Sequence, residues 1–347
     1  MSLQDSTALV SGGAGFVGGH LVRKLLAAGA RRVHIVDNLL SAERGAVADH
    51  PAVRFTEASI ADDSVLAKLG DEYDFVFHLA TYHGNQSSIH DPIADHENNT
   101  LTTLKLYEAI KGRARLKKVV YSSAGCSVAE KTDSAARATE ETDLVAVVQD
   151  SPYSMSKIFG EFYSAYYFRQ HGLPVVRARF QNVYGPGEIL GAGRWRGTPA
   201  TVWRNVTPTF VFKALMKEPL PLENDGAGTR DFIYVEDVAD GLIACALRGR
   251  PGEAYNIASG VETSIRALAT RINELTGNTA PFAVLPRRPW DHSGRRYGST
   301  QKARAELGFA ARVALDEGLA RTVAWTRDNL ELIRGAMRKH DARMRAA

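Results

Sequence analysis

The stretch Ser11-Gly12-Gly13-Ala14-Gly15-Phe16-Val17-Gly18 decides the fold of this 347-residue chain. It follows the short strand-like run Thr7–Ser11 and opens an amphipathic segment that is predicted as a helix over Gly15–Ala28. Glycines at this spacing permit a tight turn, let the backbone approach a pyrophosphate and allow close strand–helix packing, while the helix N-terminus faces the negative charge. The stretch therefore predicts a dinucleotide phosphate site.

An acidic residue at the end of the second predicted strand indicates which dinucleotide binds. Asp37 lies about 20 residues after Gly18, where a carboxylate can accept hydrogen bonds from the adenosine ribose hydroxyls. The same carboxylate would repel a 2′-phosphate, and no arginine follows it directly. The pattern therefore favours NAD over NADP as the cofactor.

Around this turn, the first part of the chain alternates short β-branched runs with helix-length amphipathic stretches. Such alternation predicts an α/β fold with a Rossmann-type doubly wound parallel sheet covered by helices on both faces. The predicted strands are Thr7–Ser11, Arg32–Asp37, Val53–Ala58, Phe75–Ala80, Lys117–Ser123 and Pro174–Phe180. Helices are predicted at Gly15–Ala28, Ser64–Leu69, Asp95–Lys111 and Pro152–His171.

The character of the sequence changes after Tyr184-Gly185-Pro186-Gly187, where a loop rich in Gly, Arg and Trp precedes shorter helices. Short strands are predicted there at Leu220–Leu222 and Ala254–Ile257. We predict a smaller C-terminal substrate-binding lobe, mainly over residues 186–335, and a basic tail over 336–347. The NAD-binding domain is predicted over 1–185, with a returning segment at about 230–260.

The composition limits the classes of function. A hydrophobic content of 44% and a charged content of 24% are those of an ordinary globular protein. No apolar run approaches the ~20 residues of a membrane helix, and no signal peptide is visible, so we expect a cytoplasmic protein without membrane contact. A net charge of +4 suits an anionic ligand and is too small to indicate nucleic acid. The two cysteines, Cys126 and Cys245, have no metal-site spacing, and no metal is expected.

A second motif carries the chemistry. Tyr153-Ser154-Met155-Ser156-Lys157 opens the predicted helix Pro152–His171, and residues four apart share a helix face. A nearby ammonium stabilises a phenolate and lowers the pKa of the tyrosine, which makes Tyr153 a base for removing a proton from a sugar hydroxyl. The alternative is a surface pair on an amphipathic helix. Its position after a dinucleotide-binding half favours catalysis by Tyr153 and Lys157.

Together these motifs resemble the NAD-dependent epimerase/dehydratase family, the extended short-chain dehydrogenase/reductases that act on nucleotide-sugars. The resemblance runs nearly end to end. It is carried by Gly12-x-x-Gly15-x-x-Gly18, Asp37-Asn38, His78-Leu79-Ala80, Asn98-Asn99, Tyr121-Ser122-Ser123, Tyr153-x-x-x-Lys157, Arg179-Phe180-Gln181-Asn182-Val183-Tyr184-Gly185-Pro186, Arg230-Asp231-Phe232 and Arg288-Pro289-Trp290-Asp291. The stretches His83-Gly84-Asn85-Gln86-Ser87-Ser88 and Gly193-Arg194-Trp195-Arg196-Gly197 are similar to those of nucleotide-sugar epimerases encoded in bacterial lipopolysaccharide O-antigen clusters.

The resemblance implies two sets of contacts around a bound nucleotide-sugar. The cofactor set is Gly12, Gly15, Phe16, Val17, Asp37, Asn38, Ser41, Ser59, Ile60, Leu79, Ala80, Thr81, Asn99, Ser122, Tyr153 and Lys157. Ser59 stands where the family usually has an Asp against the adenine, and Asn99 and Ser122 would line the nicotinamide side. The substrate set is His83, Ser88, Ala124, Asn182, Asn205, Val206, Arg230, Arg288 and Asp291. The two arginines suit a diphosphate because they are charge-assisted donors.

One position departs from the family's pattern. The family normally has a Ser or Thr at the place of Ala124, where its hydroxyl bonds the substrate hydroxyl beside the catalytic tyrosine. Alanine has neither donor nor acceptor. Either Tyr153 works without that partner, or Ser123, Ser127 or Thr81 supplies the hydrogen bond from another angle.

A cysteine stands two residues further on. Members of the family that abstract a carbon-bound proton, the dehydratases and a 3,5-epimerase, carry Glu or Cys at the place of Cys126. Alternation along an extended backbone puts Ser122, Ala124 and Cys126 on one side, toward the cleft. The thiol is then either a general acid or base or a small residue that fills space behind the nicotinamide.

Three functions follow from these observations. The leading hypothesis is 4-epimerisation of a UDP-sugar through a transient 4-keto intermediate, in bacterial surface polysaccharide biosynthesis. The second is a dehydratase or a 3- or 5-epimerase that uses Cys126. The third is a non-catalytic NAD-binding sensor. Several arginines in the cleft region would suit a carboxylate, so a uronic acid is a candidate sugar for either of the two enzymatic functions.

Two predicted helices carry more apolar surface than one sheet face needs. They are Asp95–Lys111 and Pro152–His171, the latter with Phe159, Phe162 and Tyr166. In the family these helices pair across a two-fold axis, so we predict a homodimer. Burial under the second lobe is the alternative.

Overall fold

The protein is described by a computed structural model over residues 1–82, 84–125, 137–145, 147–189, 205–289, 291 and 294–345. Its strands are β1 Thr7–Ser11, β2 Arg32–Asp37, β3 Val53–Glu57, β4 Phe75–His78, β5 Lys118–Ala124, β6 Val175–Phe180, β7 Asn182–Tyr184, β8 Pro221–Glu223, β9 Thr229–Tyr234, β10 Ala254–Ile257, β11 Glu262–Ser264 and β12 Ala283–Leu285. Its helices are α1 Phe16–Ala27, α2 Asp63–Leu66, α3 Asn85–His90, α4 Pro92–Asp95, α5 Thr102–Ile110, α6 Pro152–His171, α7 Val206–Leu215, α8 Val235–Arg248, α9 Ile265–Thr276, α10 Gln301–Leu307, α11 Leu315–Asp328 and α12 Leu330–Arg345.

Seven parallel strands form the central sheet in the order β10-β6-β5-β4-β1-β2-β3. The order reverses between β1 and β4. In an open parallel sheet, a ligand crevice forms at the carboxyl ends of the strands where the order reverses. The predicted Rossmann-type fold is therefore confirmed, and its topology places a crevice beside the glycine turn after β1.

The central strands are buried on both faces because successive side chains enter different cores. Val10 lies in a core with Leu21 and Leu25 of α1, and α8 packs against α1 on that side. Leu9 points the other way, into a core that α5 and α6 complete with Leu106 and Tyr167. This double burial explains the near-continuous apolar runs that predicted a parallel sheet.

A smaller lobe stands over one edge of this crevice. It contains the three-stranded sheet β11-β9-β7 and the pair β12-β8. Phe210 of α7, Leu268 of α9 and Leu319 of α11 share one apolar core there. Most of these short strands were not visible in the sequence pattern because three-residue runs carry little periodicity.

The segment predicted as one helix over Asp95–Lys111 is more complex. Residues His96–Leu101 form a π-helical turn between α4 and α5. The Thr103 hydroxyl donates to the Asn99 carbonyl (2.8 Å), and the Thr102 hydroxyl donates to the Asn98 carbonyl (2.8 Å). These hydroxyls donate hydrogen bonds to carbonyl groups of the widened turn. A π-helical turn often marks a functional site.

The C-terminal segment predicted as a basic tail continues a helix, since α12 extends to Arg345. In the part of the chain that the structure describes, no helix is both long and apolar enough to cross a membrane.

Candidate active site

A cleft of about 740 Å³ opens at the carboxyl ends of the central strands and continues to the smaller lobe. Of the predicted cofactor residues, it is lined by Gly12, Gly15, Phe16, Val17, Asp37, Asn38, Ser41, Ser59, Ile60, Leu79, Ala80, Thr81, Ser122, Tyr153 and Lys157. Of the other predicted site residues, it is lined by Ser123, Ala124, Asn182, Asn205, Val206, Arg230, Arg288 and Asp291. The structure therefore brings most of the two sets into one continuous cleft. His83, Cys126 and Ser127 lie outside the described residues.

The glycine turn has no room for side chains. Gly12 has φ +75°, and a Cβ there would lie 2.7 Å from the Ala80 nitrogen. A Cβ on Gly18 would lie 2.1 Å from the Gly12 carbonyl oxygen. No side chain caps the N-terminus of α1 at Gly15, so the first N–H groups of α1 face the cleft as donors for an anion. This geometry fits the pyrophosphate of a dinucleotide.

Asp37 is fixed at the end of β2 beside this turn. Its Oδ2 accepts a hydrogen bond from the Ala14 N–H (3.0 Å) and its Oδ1 from the Leu39 N–H (2.9 Å). Burial raises the pKa of Asp37, and these backbone donors oppose that effect. The carboxylate is held rigidly where the sequence predicts contact with a ribose, and the site fits NAD.

Tyr153 and Lys157 stand together in the cleft wall on the first turns of α6. The Ser151 hydroxyl caps this helix by accepting from the Ser154 N–H (3.2 Å), and Pro152 occupies its first position. The buried Lys157 Nζ donates to the Ser122 carbonyl (2.9 Å) and lies 5.7 Å from the centre of the Tyr153 ring. The ammonium is thereby fixed near the phenol.

Ser88 lies behind the cleft wall and not in it. Its fully buried hydroxyl accepts from the Tyr153 N–H (3.0 Å) and donates to the Asn85 carbonyl (2.7 Å). Asn85 itself lines the cleft, and its Oδ1 accepts from the Ser151 hydroxyl (2.9 Å). Helix α3 therefore supports the N-terminus of α6. Asn85 was not among the predicted site residues, although it lies in the quoted stretch 83–88.

Asn99 also lies behind the cleft, on the π-helical turn. Its Oδ1 accepts from the Tyr82 N–H (2.6 Å) and the Thr81 hydroxyl (2.9 Å). Its Nδ2 donates to Asp95 (2.7 Å) and Ser156 (3.2 Å). With 4% exposure and this set of hydrogen bonds, Asn99 ties the segment after β4 to α6.

Neither of the two described candidates for the hydroxyl missing at Ala124 has its proton directed at the cleft. The Ser123 hydroxyl donates to Glu161 Oε1 (2.5 Å), and the Thr81 hydroxyl donates to Asn99. Ala124 itself lines the cleft. Which hydroxyl has a buried partner depends on packing between distant elements, so no local sequence signal could show it.

The far end of the cleft is rich in arginine. Arg230 lies 3.5 Å from Asp291, and Arg288 forms an ion pair with Glu223. The cleft is also lined by three arginines that sequence reasoning had not assigned, Arg287, Arg295 and Arg296. Their clustering creates a positive wall suited to a diphosphate or another anionic group.

A further predicted substrate residue begins helix α7. Asn205 stands at its N-cap position, and its Nδ2 donates to Glu188 Oε1 (2.5 Å). This contact joins α7 to the chain that leaves β7. Asn205 and the following Val206 thereby reach the cleft beside the arginines.

Comparison with known proteins gives concordant results. The profile of the family described as NAD dependent epimerase/dehydratase matches residues 8–258. The chain is 33% identical over 328 residues to a UDP-glucose 4-epimerase of Mycolicibacterium smegmatis, covering 92% of this chain and 98% of that protein. It is 32% identical to a dTDP-glucose 4,6-dehydratase of Streptomyces antibioticus, covering 92% of each. The crystal structure of the Bordetella bronchiseptica enzyme WbmF with NAD+ and UDP is similar over 99% of both chains, with 65% identity and a TM-score of 0.87. These matches confirm the family resemblance, the enzyme class and NAD as the cofactor.

Proposed function

Because the chain belongs to the NAD-dependent epimerase/dehydratase family, we propose that it is a UDP-sugar 4-epimerase working through a transient 4-keto sugar. The observation that carries the proposal is the placement of Tyr153 and Lys157 in the wall of the cleft that also contains the glycine turn. The match to a UDP-glucose 4-epimerase and the UDP bound by WbmF favour a UDP-sugar.

The residues divide the chemistry between binding and proton transfer. The first N–H groups of α1 bind the pyrophosphate of NAD, and Asp37 accepts from its ribose hydroxyls. Bound NAD+ supplies reversible hydride transfer at C4 of the sugar. Tyr153 removes the proton of the 4-hydroxyl, and the buried Lys157 ammonium stabilises the phenolate that accepts it. Tyr153 returns the proton after the 4-keto sugar has presented its other face.

The arginine wall supports the orientation of the nucleotide. Arg230 and Arg288 are positioned by Asp291 and Glu223, so their guanidinium groups are already ordered before a diphosphate binds. The additional arginines of the wall, Arg287, Arg295 and Arg296, also support a uronic acid as the sugar.

A second candidate keeps the oxidation at C4 and uses the ketone to acidify a neighbouring C–H bond. The chain would then be a dehydratase or a 3- or 5-epimerase, with Cys126 as the acid or base. The similarity to a dTDP-glucose 4,6-dehydratase and the absence of a hydroxyl at Ala124 favour this candidate.

We further propose a cytoplasmic role in bacterial surface polysaccharide biosynthesis, because the stretches 83–88 and 193–197 are similar to those of O-antigen cluster epimerases.

We also propose a homodimer. It is supported by apolar side chains that are exposed along α6, namely Met155, Phe159, Phe162 and Tyr166, and by Ile93 of α4.

Turnover of a panel of UDP-, GDP- and dTDP-sugars, including uronic acids, tests the proposed function. We expect one or more UDP-sugars to equilibrate with their 4-epimers without consumption of added NAD+. Tyr153→Phe removes turnover and retains NAD+ binding, whereas Tyr163→Phe on the same helix keeps both. Absence of turnover with every sugar contradicts the proposal.

A further inference from the structure

A buried ion pair between Glu161 and Arg179 lies one turn of α6 beyond Lys157. Glu161 follows Lys157 by one turn of α6 and is 3% exposed. It accepts from Arg179 through Nε (2.8 Å) and Nη2 (2.7 Å), and from the Ser123 hydroxyl (2.5 Å). Although burial raises the pKa of Glu161, the Arg179 guanidinium brings it below its usual value. The carboxylate is therefore charged, and Ser123 donates its only proton to it.

Two contacts then join α6 to adjacent residues of β5. Lys157 Nζ donates to the Ser122 carbonyl (2.9 Å), and one turn later Glu161 receives the Ser123 hydroxyl. Residues four apart on a helix lie one above the other. A shift of α6 along β5 would break both contacts at once. The hydrogen bond between Ser123 and Glu161 therefore opposes any movement of the Lys157 ammonium away from the Ser122 carbonyl.

We propose that Ser123 and Glu161 are positioning residues that hold the Lys157 ammonium against the Ser122 carbonyl, and thereby in place beside Tyr153. Glu161 is absent from the cleft lining, and Arg179 anchors it to β6. Ser123 acts through Glu161 and Lys157 and not as a substitute for the hydroxyl missing at Ala124. The expected effect on turnover rests on the proposed function, and the effect on NAD+ binding does not.

Helix α6 offers a matched control. Ser164 is 1% exposed and Ser123 is 2% exposed. The Ser164 hydroxyl bonds the Gly160 carbonyl (2.7 Å) and Tyr107 (3.0 Å), away from the cleft. Ser123→Ala and Ser164→Ala each remove one buried hydroxyl that donates to a group of α6, so both variants should lose a similar amount of stability. A difference between them in NAD+ affinity or in turnover then reflects the position of Ser123 beside Glu161.

We expect Ser123→Ala to lower kcat about 10-fold, with the acidic limb of its pH profile moved to higher pH because Lys157 stabilises the phenolate less well. We also expect the Kd of Ser123→Ala for NAD+, measured by calorimetry, to rise about 5-fold, because Lys157 is one of the predicted cofactor contacts and would be held less firmly. Ser164→Ala leaves the pH profile unmoved, and both constants stay within about 2-fold. Glu161→Gln, if it folds, is expected to lower stability because Arg179 loses its charged partner, but to shift the pH profile little beyond Ser123→Ala, since both changes reach Lys157 through the Ser123–Glu161 contact.

Equal effects of Ser123→Ala and Ser164→Ala on NAD+ affinity and on the pH profile overturn the proposal. An unmoved pH profile with a raised KM for the sugar also overturns it, because Ser123 would then contact substrate directly. If the unaltered protein turns over no sugar, the 4-epimerase function fails, and the NAD+ affinities of the two variants still decide the positioning role.

Discussion

At the residue scale, the site depends on polar groups buried behind its wall. Asp95 is 1% exposed and accepts from the Asn99 amide (2.7 Å) beneath the π-helical turn. Burial raises the pKa of Asp95 to about 6, from an ordinary value of 3.8. The native state therefore holds the Asp95 proton more tightly than the unfolded chain does.

This pKa predicts a pH dependence of stability. The contribution of Asp95 to the free energy of unfolding is greatest below pH 4 and is lost as the pH rises through about 6. Asp95→Asn cannot ionise, so we expect its stability relative to the unaltered protein to increase by about 1–3 kcal/mol between pH 4 and pH 7. Urea unfolding at several pH values measures this difference. A difference that is the same at every pH contradicts the assignment.

How far single residues could be predicted from the sequence depends on what fixes them. Tyr153, Lys157 and Asp37 belong to local patterns of strand ends and helix turns, and the structure places all three in the cleft wall. The partners of Ser88 and Ser123 come from elements that are distant along the chain. A sequence pattern shows that a hydroxyl is present but not which buried group takes its proton.

At the element scale, the turn between β1 and α1 gives the sharpest prediction. A Cβ on Gly18 would meet the Gly12 carbonyl oxygen at 2.1 Å, whereas the nearest atom to a Cβ on Gly19 is a flexible Arg23 nitrogen at 3.7 Å. We expect Gly18→Ala to weaken NAD+ binding by at least about 10-fold, because the backbone of the turn must move.

The adjacent Gly19→Ala is the control for that prediction. It keeps NAD+ affinity unchanged and stabilises α1 by up to about 1 kcal/mol, since alanine favours a helix over glycine. Calorimetric titration with NAD+ and thermal unfolding measure the two effects. Equal NAD+ affinity in both variants would show that the turn does not hold the cofactor.

Elements were predictable where periodicity is strong. The starts of β1 and β2 match the predictions, because buried parallel strands are near-continuous apolar runs. The edge strand β3 also starts where predicted, although only Val53 and Phe55 in it are apolar. The π-helical turn within Asp95–Lys111 was not predictable, since its sequence His96–Leu101 is almost entirely polar and offers no apolar spacing in which an extra residue would show. Strand β4 ends two residues before its predicted end because the chain leaves the sheet there to form the cleft wall.

At the scale of the whole molecule, the exposed face of α6 predicts self-association. Phe162 is 55% exposed and lies with Phe159 and Tyr166 on that face. We expect the protein to be a dimer by light scattering and Phe162→Glu to be a monomer at the same concentration, because a charge cannot be buried in an apolar contact. Val261→Glu, at an equally exposed apolar position of the smaller lobe, should remain dimeric. A monomeric unaltered protein contradicts the homodimer.

In 4-epimerisation the hydrogen at C4 leaves and returns as a hydride, and incubation of the active UDP-sugar in heavy water traces this hydrogen. Mass spectrometry and NMR locate any deuterium in the product. We expect a 4-epimer without carbon-bound deuterium, because this hydrogen does not exchange with solvent. Deuterium at a neighbouring carbon, or loss of water, would contradict 4-epimerisation and assign the chemistry to proton abstraction, with Cys126 as the first residue to replace.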